Sequence, residues 1–359
     1  MMAETEFDIE LLAERAVDLV GVERGQVIWI WASTHSLDLI EALAFRIRAR
    51  GAFWTLRLVM EPLLRRIAEN APEEYLGLVP EHELRWLEDV NAIIEVRDHS
   101  GHIPDVPLPR RRKIGAEWIA LIEEAARRGV RRVVMINPTP ALAASYGVPL
   151  AQFRKAYARA IDIDYQVLER LQRSLHERLS GAEHISISSA LGTDLSLNIR
   201  GRPVLLDEDG LPRGEVYVAP HENSAEGVAV IDRAFLRGEP VERLRLIFSK
   251  GRVVKAITQD AKGAISFDEL LEASSGEKDR IAEFAIGLNP GVSEPTGDIM
   301  LDEKIYGSIH IAIGMNKRFG GTNRSNLHLD LVILNPTVYL DGDLLISNGV
   351  ILIDDLEMV

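Results

Sequence analysis

The run Val27-Ile28-Trp29-Ile30-Trp31 decides how the first half of the chain reads. Bulky apolar residues in unbroken succession, without polar alternation, are expected of a strand buried on both faces, as in a parallel sheet covered by helices. Working outward from it, helical and extended patterns alternate. Glu10 to Val20 has helical spacing, with Leu11, Leu12, Ala16 and Leu19 on one face. Ser36 to Arg50 reads as a helix stopped by Gly51, Phe53 to Met60 as a strand and Pro62 to Asn70 as a helix. Asn91 to Arg97 is a strand, Ala116 to Arg128 a helix ended by Gly129, and Arg132 to Ile136 a strand. This alternation predicts an α/β unit, a parallel sheet with helices on both faces.

From Leu150 to Leu179, Phe153, Tyr157, Ile161, Tyr165, Leu168, Leu171 and Leu175 recur at helical spacing, which reads as a bridge between domains. After Gly181 the texture changes to short extended runs cut by Gly, Asp and Asn: His184 to Ser189, Asp194 to Ile199, Val216 to Ala219, Arg243 to Phe248 and Arg252 to Ile257. From Glu283 onward the pattern is mostly strand. The expected organisation is an α/β domain with a long linking helix over residues 1–180 and a β-rich (α+β) domain over 181–359, in keeping with a length of 359 residues. Pro104 to Arg112, rich in Pro and Arg, reads as a solvated loop or as an electropositive rim.

Lys and Arg number 41 against 55 Asp and Glu, a formal charge of −14. That argues against non-specific nucleic-acid binding and against an anionic membrane surface, both of which need a basic face. The chain has no cysteine, which excludes disulfides, thiolate metal sites and cysteine nucleophiles. Met1 to Glu6 is acidic and without an apolar core, unlike a signal peptide, and the longest apolar run, Val27 to Ala32, is too short to span a membrane. The expectation is a soluble cytoplasmic protein.

The chemistry concentrates late in the chain. In Asn326-Leu327-His328-Leu329-Asp330-Leu331-Val332-Ile333, residues two apart on a strand share a face, so His328 and Asp330 project together. An imidazole beside a carboxylate suits a divalent cation, and equally suits a polar pair facing solvent. His310 lies in a second extended run, Ser308 to Ile313, as a core histidine or as a ligand. The turn-forming Gly320-Gly321-Thr322-Asn323 between the runs could set the two strands side by side. Glu283 and Glu215 adjoin apolar strand-like residues, where an unpaired charge is costly and an Arg partner, a surface position or a metal must answer it. Together these three carboxylates and two imidazoles exceed the needs of one hydrolytic zinc. They fit two divalent ions bridged by a carboxylate and a water, about 3.5–4 Å apart.

At these residues the sequence resembles the thermophilic metallo-aminopeptidases of the aminopeptidase T, aminopeptidase S and PepS type. The matching stretches run in order from Arg132-Val133-Val134 and Asn137-Pro138-Thr139-Pro140 through Ile163-Asp164-Tyr165, Gly192-Thr193-Asp194-Leu195 and Gly214-Glu215-Val216. They continue with Pro220, Glu226-Gly227, Glu283-Phe284-Ala285-Ile286-Gly287, Leu301-Asp302-Glu303-Lys304, His310-Ile311-Ala312-Ile313-Gly314 and His328-Leu329-Asp330. The resemblance implies a dinuclear site on Glu215, Glu283, His310, His328 and Asp330, with Glu303 as the acidic residue that helps proton transfer. It implies two divalent ions (Zn, Co, Mn or Mg) and removal of the N-terminal residue from short peptides by a metal-held hydroxide. It also implies a homodimer whose sites face an enclosed cavity. The family's Tyr shortly after the first His has no counterpart in Gly314-Met315-Asn316-Lys317-Arg318-Phe319. A related branch, 2,5-dihydroxypyridine 5,6-dioxygenase, uses one ferrous iron, and its H-x-D pair is similar to His328-x-Asp330. Retention of Glu215 and Glu283 favours two metals and hydrolysis. A non-catalytic relative, keeping the fold as a binding module, is the third possibility.

His221-Glu222 reads as a pocket lining or an exposed turn, and Asp194 as a residue orienting a ligand or capping a turn. No G-x-x-x-x-G-K-[ST] and no G-x-G-x-x-G opening a helix is present, so the first half lacks a nucleotide fingerprint. His35, His82, His99, His102, His176 and His184 have no ligand-like spacing. Trp29, Trp31, Trp54, Trp86 and Trp118 read as core or interface residues.

Overall fold

A computed structural model describes residues 7–99, 106–236, 239–259 and 261–353. Met1 to Glu6, His102 and Pro104-Asp105 lie outside the described residues. The chain forms two compact units: Met1–Ile161 with Asp209–Pro212, and Asp162–Glu208 with Arg213–Val359. Among the described residues no helix is long and apolar enough to cross a membrane.

The first unit runs α1 (Ile9–Val20), β1 (Val27–Ser33), α2 (Leu37–Ala49), β2 (Phe53–Val59), α3 (Glu61–Asn70), α4 (Glu81–Asp89), β3 (Ala92–Arg97), α5 (Leu108–Arg127), β4 (Arg131–Ile136), α6 (Pro140–Tyr146) and α7 (Leu150–Ile161). The second begins with α8 (Tyr165–Gly181) and continues β5 (His184–Ser188), β6 (Asp194–Asn198) and β7 (Val204–Leu206). After β8 (Gly210–Leu211), which belongs to the first unit, come β9 (Glu215–Val218), β10 (Glu226–Leu236), β11 (Glu239–Ser249), β12 (Arg252–Ile257), α9 (Ala261–Glu272) and β13 (Ile281–Gly287). The chain ends with α10 (Ile299–Asp302), β14 (Ile309–Gly314), β15 (His328–Ile333), β16 (Thr337–Leu340), β17 (Asp343–Ser347) and β18 (Val350–Ile351).

The parallel sheet is present, in the order β2-β1-β3-β4-β8. Trp29 and Trp31 of β1 and Ile93 of β3 pack with Leu87 of α4 and Leu121, Ile122 and Ala125 of α5. Ile28 and Ile30, pointing the other way, are equally buried, and α1 and α2 pack on these strands as well. Of the tryptophans, Trp29 and Trp31 are core, whereas Trp54, Trp86 and Trp118 are exposed. The face α1 buries is Leu12, Ala13, Ala16, Val17 and Val20, rotated from the expected one so that Leu11 and Leu19 lie at its margin.

Other departures have local causes. The Leu150–Leu179 pattern is two helices, because Asp164 turns its carboxylate onto the N–H groups of Gln166 and Val167 and starts α8 afresh. The segment read as a loop before Ala116 is helical from Leu108, with Pro109 in the first turn, where its missing N–H costs nothing. Within it Arg110 donates to the carbonyls of Ala68 and Ala71 at the end of α3 instead of lining a rim. Helices α4, α6 and α9 and the long strand β10 are additions to the expected elements.

The second unit is built from two antiparallel sheets, β12-β11-β10-β6-β5-β16-β17-β18 and β15-β14-β13-β9-β7. One apolar core joins Ile185, Ile187, Leu195 and Leu197 of the larger sheet to Val216, Val218, Phe284, Ile286, Ile309, Ile311, Ile313 and Leu331 of the smaller, with α8 contributing Leu168, Leu171, Leu175 and Leu179. The molecule is therefore mixed α/β, a parallel sheet in one unit and antiparallel sheets in the other.

A polar knot closes the carboxyl ends of the parallel strands. The buried Asp98 accepts from the Ser33 N–H, the Ser33 and Ser36 hydroxyls and His99 Nδ1, and Asn137 donates to Ser36 Oγ. Burial opposes the charges on Asp98 and His99, but their mutual hydrogen bond and attraction, with the Ser33 and Ser36 hydrogen bonds to Asp98 and the charge of Glu61 near His99, together outweigh it, so the Asp98 carboxyl is held below and the His99 imidazole above its ordinary value. The His99 contribution to stability is thus complete below pH 6.5 and lost as pH rises through its raised value. In thermal melts, His99→Gln is expected to lower Tm most near pH 6 and least near pH 9; an equal loss at both would show that the imidazolium contributes nothing.

Candidate metal centre

The smaller sheet of the second unit has two chemically distinct faces, because successive residues of a strand point to opposite sides. Val216, Val218, Phe284, Ile286, Ile309, Ile311, Ile313 and Leu331 enter the core. Their alternates are Glu215 and Tyr217 of β9, Glu283 and Ala285 of β13, His310 and Ala312 of β14, and His328 and Asp330 of β15. Register then brings the polar members together: Ala285 lies opposite His310, Ala312 opposite both Glu283 and Asp330, and Gly314 opposite His328. The small residues between the polar ones leave room above the sheet. Gly314 is required by the backbone too. It has φ +106°, and a Cβ there would lie 2.1 Å from the Leu327 carbonyl oxygen.

All five sequence-singled ligand candidates meet on this face. Glu215, Glu283 and His310 form one group whose donor atoms lie within 4.8 Å of one another, and Glu283, His328 and Asp330 form a second. Glu283 belongs to both. Its Oε1 is 3.4 Å from His310 Nε2 and its Oε2 is 3.4 Å from His328 Nε2. His310 Nε2 also lies 3.4 Å from Glu215 Oε2, and His328 Nε2 3.1 Å from Asp330 Oδ1. The Nδ1 of His328 is 2.7 Å from the Met315 carbonyl, to which it donates, so Nε2 is the nitrogen turned toward Glu283 and Asp330.

Glu303, named from the resemblance, is at the same place, and so is Lys304, to which the sequence reading gave no role. Lys304 is only 2% exposed, and its ammonium lies 2.6 Å from Glu303 Oε1, 3.1 Å from Glu215 Oε1 and 3.3 Å from Asp207 Oδ2. A buried lysine ammonium needs such partners; the signal in the sequence was only a Lys next to an acidic residue, which is commonplace on surfaces. Burial disfavours its charge, but Asp207, Glu215 and Glu303 together raise its pKa well above the ordinary value.

The same balance governs the imidazoles. Burial opposes protonation of His310, yet the hydrogen bond to Glu283 and the charges of Glu215 and Asp330 raise it to about 9. His328 is also raised, against burial, by Asp330 and Glu283. Asp330 goes down to about 2, burial being outweighed by the charge and hydrogen bond of His328 together with the charges of His310 and Lys304. Burial raises Glu303, with Lys304 pulling the other way. Burial likewise raises Glu215, to about 8, against the pull of Lys304.

A divalent-cation site fits these residues. Glu215 Oε2 is buried and has no hydrogen-bond partner among the described residues, which is costly unless a cation answers it. The donor set is oxygen and imidazole, the set that Zn, Mn, Co, Fe and Mg share.

Other sequence candidates fall elsewhere. Glu222 accepts from the Thr322 N–H, Asn316 Nδ2 and Arg202, and so holds the loop after β14, while His221 is exposed with Nε2 on the Arg200 carbonyl. Asp194 is exposed at the start of β6, in the other sheet. His35 and His99 pair with Glu61 and Asp98 in the first unit.

The family model described as thermophilic metalloprotease (M29) matches residues 6–349. Aminopeptidase T of Thermus thermophilus is 25% identical over 93% of this chain and 94% of its own length. The 2,5-dihydroxypyridine 5,6-dioxygenase of Pseudomonas putida is 24% identical over 63% of this chain and 66% of its own. Among solved structures, wild-type AmpT from Thermus thermophilus superposes with a TM-score of 0.78 at 22% identity, covering 96% of this chain and 99% of that one. The Pseudomonas putida dioxygenase gives 0.68 at 17% identity, covering 97% of each chain. At these identities the superpositions establish the fold.

Removing the Lys304 ammonium would leave Asp207, Glu215 and Glu303 buried without their shared cation. Lys304→Met is therefore expected to destabilise the metal-free protein by about 3–5 kcal/mol in urea titration. A loss under 1 kcal/mol would mean that these carboxylates are neutral or solvated.

Proposed function

This chain belongs to the thermophilic metalloprotease (M29) family, and we propose that within it the chain acts as an aminopeptidase, releasing the N-terminal residue of short peptides. The observation that carries the proposal is the division of Glu283, one oxygen to each of two donor groups. In this reading Glu215, Glu283 and His310 would hold one divalent ion, and Glu283, His328 and Asp330 a second. Such a pair, of Zn, Co, Mn or Mg, would acidify a shared water and polarise the scissile carbonyl. Glu303, held through its Oε1 by Lys304, keeps its other oxygen for the proton that passes from the attacking water to the departing amine. The substrate's free amine would complete the ligands of one such ion, which an acylated N-terminus could not do.

We further place the enzyme in the cytoplasm as a homodimer. Its freedom from cysteine suits a reducing compartment, and Phe45, Phe53, Trp54, Leu58 and Met60 of the first unit are exposed apolar side chains that a second copy could cover.

The deciding experiment is metal content per chain on protein purified without oxygen or chelators, with hydrolysis of unblocked dipeptides measured on the same sample. Two divalent ions per chain are expected, falling in Glu283→Ala together with a loss of kcat/KM of more than about 100-fold. N-acetylated dipeptides should be inert. One iron per chain, little changed in Glu283→Ala and accompanied by oxygen-dependent opening of a dihydroxypyridine ring, would replace this reading with that of the dioxygenase branch.

A further inference from the structure

Asp207 belongs to neither donor group, yet it stands beside one of them. Leu206, the last residue of β7, pairs with Val216 of β9, so the next step of the antiparallel ladder sets Asp207 opposite Glu215. Side chains directly opposite each other share a face, and like charges placed so repel. Both residues are buried, which makes an unanswered charge costlier still.

The backbone keeps the two carboxylates opposed. The Asp207 N–H donates to the Glu215 carbonyl, and the buried Gln172 of α8 donates through Nε2 to the same carbonyl at 3.0 Å. Arg213 Nε donates to the Asp207 carbonyl, and the Gly214 N–H donates to Asp207 Oδ2. Gly214 has φ +141°, and a Cβ there would lie 2.8 Å from Asn289 Cβ, so the approach to β9 needs glycine. Asp207 and Glu215 therefore separate only if β7 leaves β9.

Lys304 answers the repulsion. Its ammonium reaches Asp207 Oδ2 as well as the Oε1 atoms of Glu215 and Glu303. An ammonium has three N–H donors, and three carboxylates face them, so none is left for a substrate. The other oxygen of Glu215, Oε2, faces His310 Nε2 at 3.4 Å. A cation on the Glu215, Glu283 and His310 group and the ammonium of Lys304 would thus draw on the same carboxylate from its two ends.

We infer that Asp207 is a positioning residue of the metal centre: by anchoring Lys304 it confines the ammonium to one oxygen of Glu215 and one of Glu303, leaving the second oxygen of each for the ion and for the proton. This rests on the two-ion reading of the donor groups. Without the Asp207 charge the ammonium would be shared by two carboxylates instead of three. It would hold each more tightly and compete with the ion for Glu215.

The test titrates zinc into metal-free protein by competition calorimetry, with Glu215→Ala identifying the binding step that depends on Glu215. Wild type should take up two ions. In Asp207→Asn, which keeps an acceptor for the Gly214 N–H, the Glu215 step should weaken by about 10–100-fold and the other by less than about threefold. In a Lys304→Met background the same substitution should cost less than about threefold, because the ammonium through which it acts is gone. At saturating zinc, dipeptide hydrolysis by Asp207→Asn should lose about tenfold in kcat with KM unchanged, since Glu303 is no longer held. Equal weakening of both steps, an unchanged Glu215 step, or the full loss persisting in Lys304→Met would overturn the inference. If wild type takes up a single ion, the two-ion reading fails; weakening of that ion in Asp207→Asn, absent in Lys304→Met, would still support the anchor, and no weakening would overturn it. If the zinc steps behave as expected and no peptide is cleaved, the anchor stands and the peptidase reading fails.

Discussion

Glu283 faces His310 with one carboxylate oxygen and His328 with the other, and it does so because β13 lies between β9 and β14 in one fixed register. A slip of a single residue would turn Glu283 into the apolar core and Phe284 out to the polar face. The core makes that slip prohibitive. Phe284 and Ile286 on β13 are fully buried with Ile309, Ile311 and Ile313 of β14, and exposing such side chains costs about 1.5–3 kcal/mol each. Hydrophobic packing beneath the sheet thus sets the positions of the polar side chains above it. The small alternates Ala285, Ala312 and Gly314 complete the arrangement by keeping bulk away from the space the polar atoms share.

How much of this could be read in the sequence follows from the range of the interactions. The parallel sheet was legible because the Val27–Trp31 run and the intervening helical patterns are local signals. The pairing of β14 with β15 was legible because a turn-rich segment joins two extended runs, and His328-x-Asp330 carried its shared face in its spacing. Convergence of Glu215 and Glu283 with these was not a matter of spacing; it came from resemblance, since β9 and β13 are brought together across a long stretch that includes the whole of β10 to α9. Lys304 had no local signature either. Its partners Asp207 and Glu215 are remote in sequence, and a Glu-Lys dipeptide reads as surface until burial is known. The missed break between α7 and α8 has the opposite origin. Apolar spacing runs through it, and the local cap of Asp164 overrides the periodicity.

The two units hold polar clusters of similar appearance, and hydrogen-bond completion separates them. In the first, both oxygens of Asp98 are taken by serine and histidine donors, and Ser36 is itself tied to Asn137. Such a network stabilises strand ends and leaves no valence for a ligand. In the second, Lys304 meets one oxygen of Glu215 and one of Glu303, while Glu215 Oε2 is buried beside His310 with no hydrogen-bond partner among the described residues. The imidazoles are driven toward protonation by carboxylates that have nothing better to pair with. Protons on His310 and His328 answer that charge only in part, and metal ligation would require both to leave Nε2. A fold that served structure alone gains nothing from this incompleteness, because replacing the cluster with apolar residues would be as stable or more so. An incomplete cluster of this kind is what membership of a metalloprotease family leads one to expect.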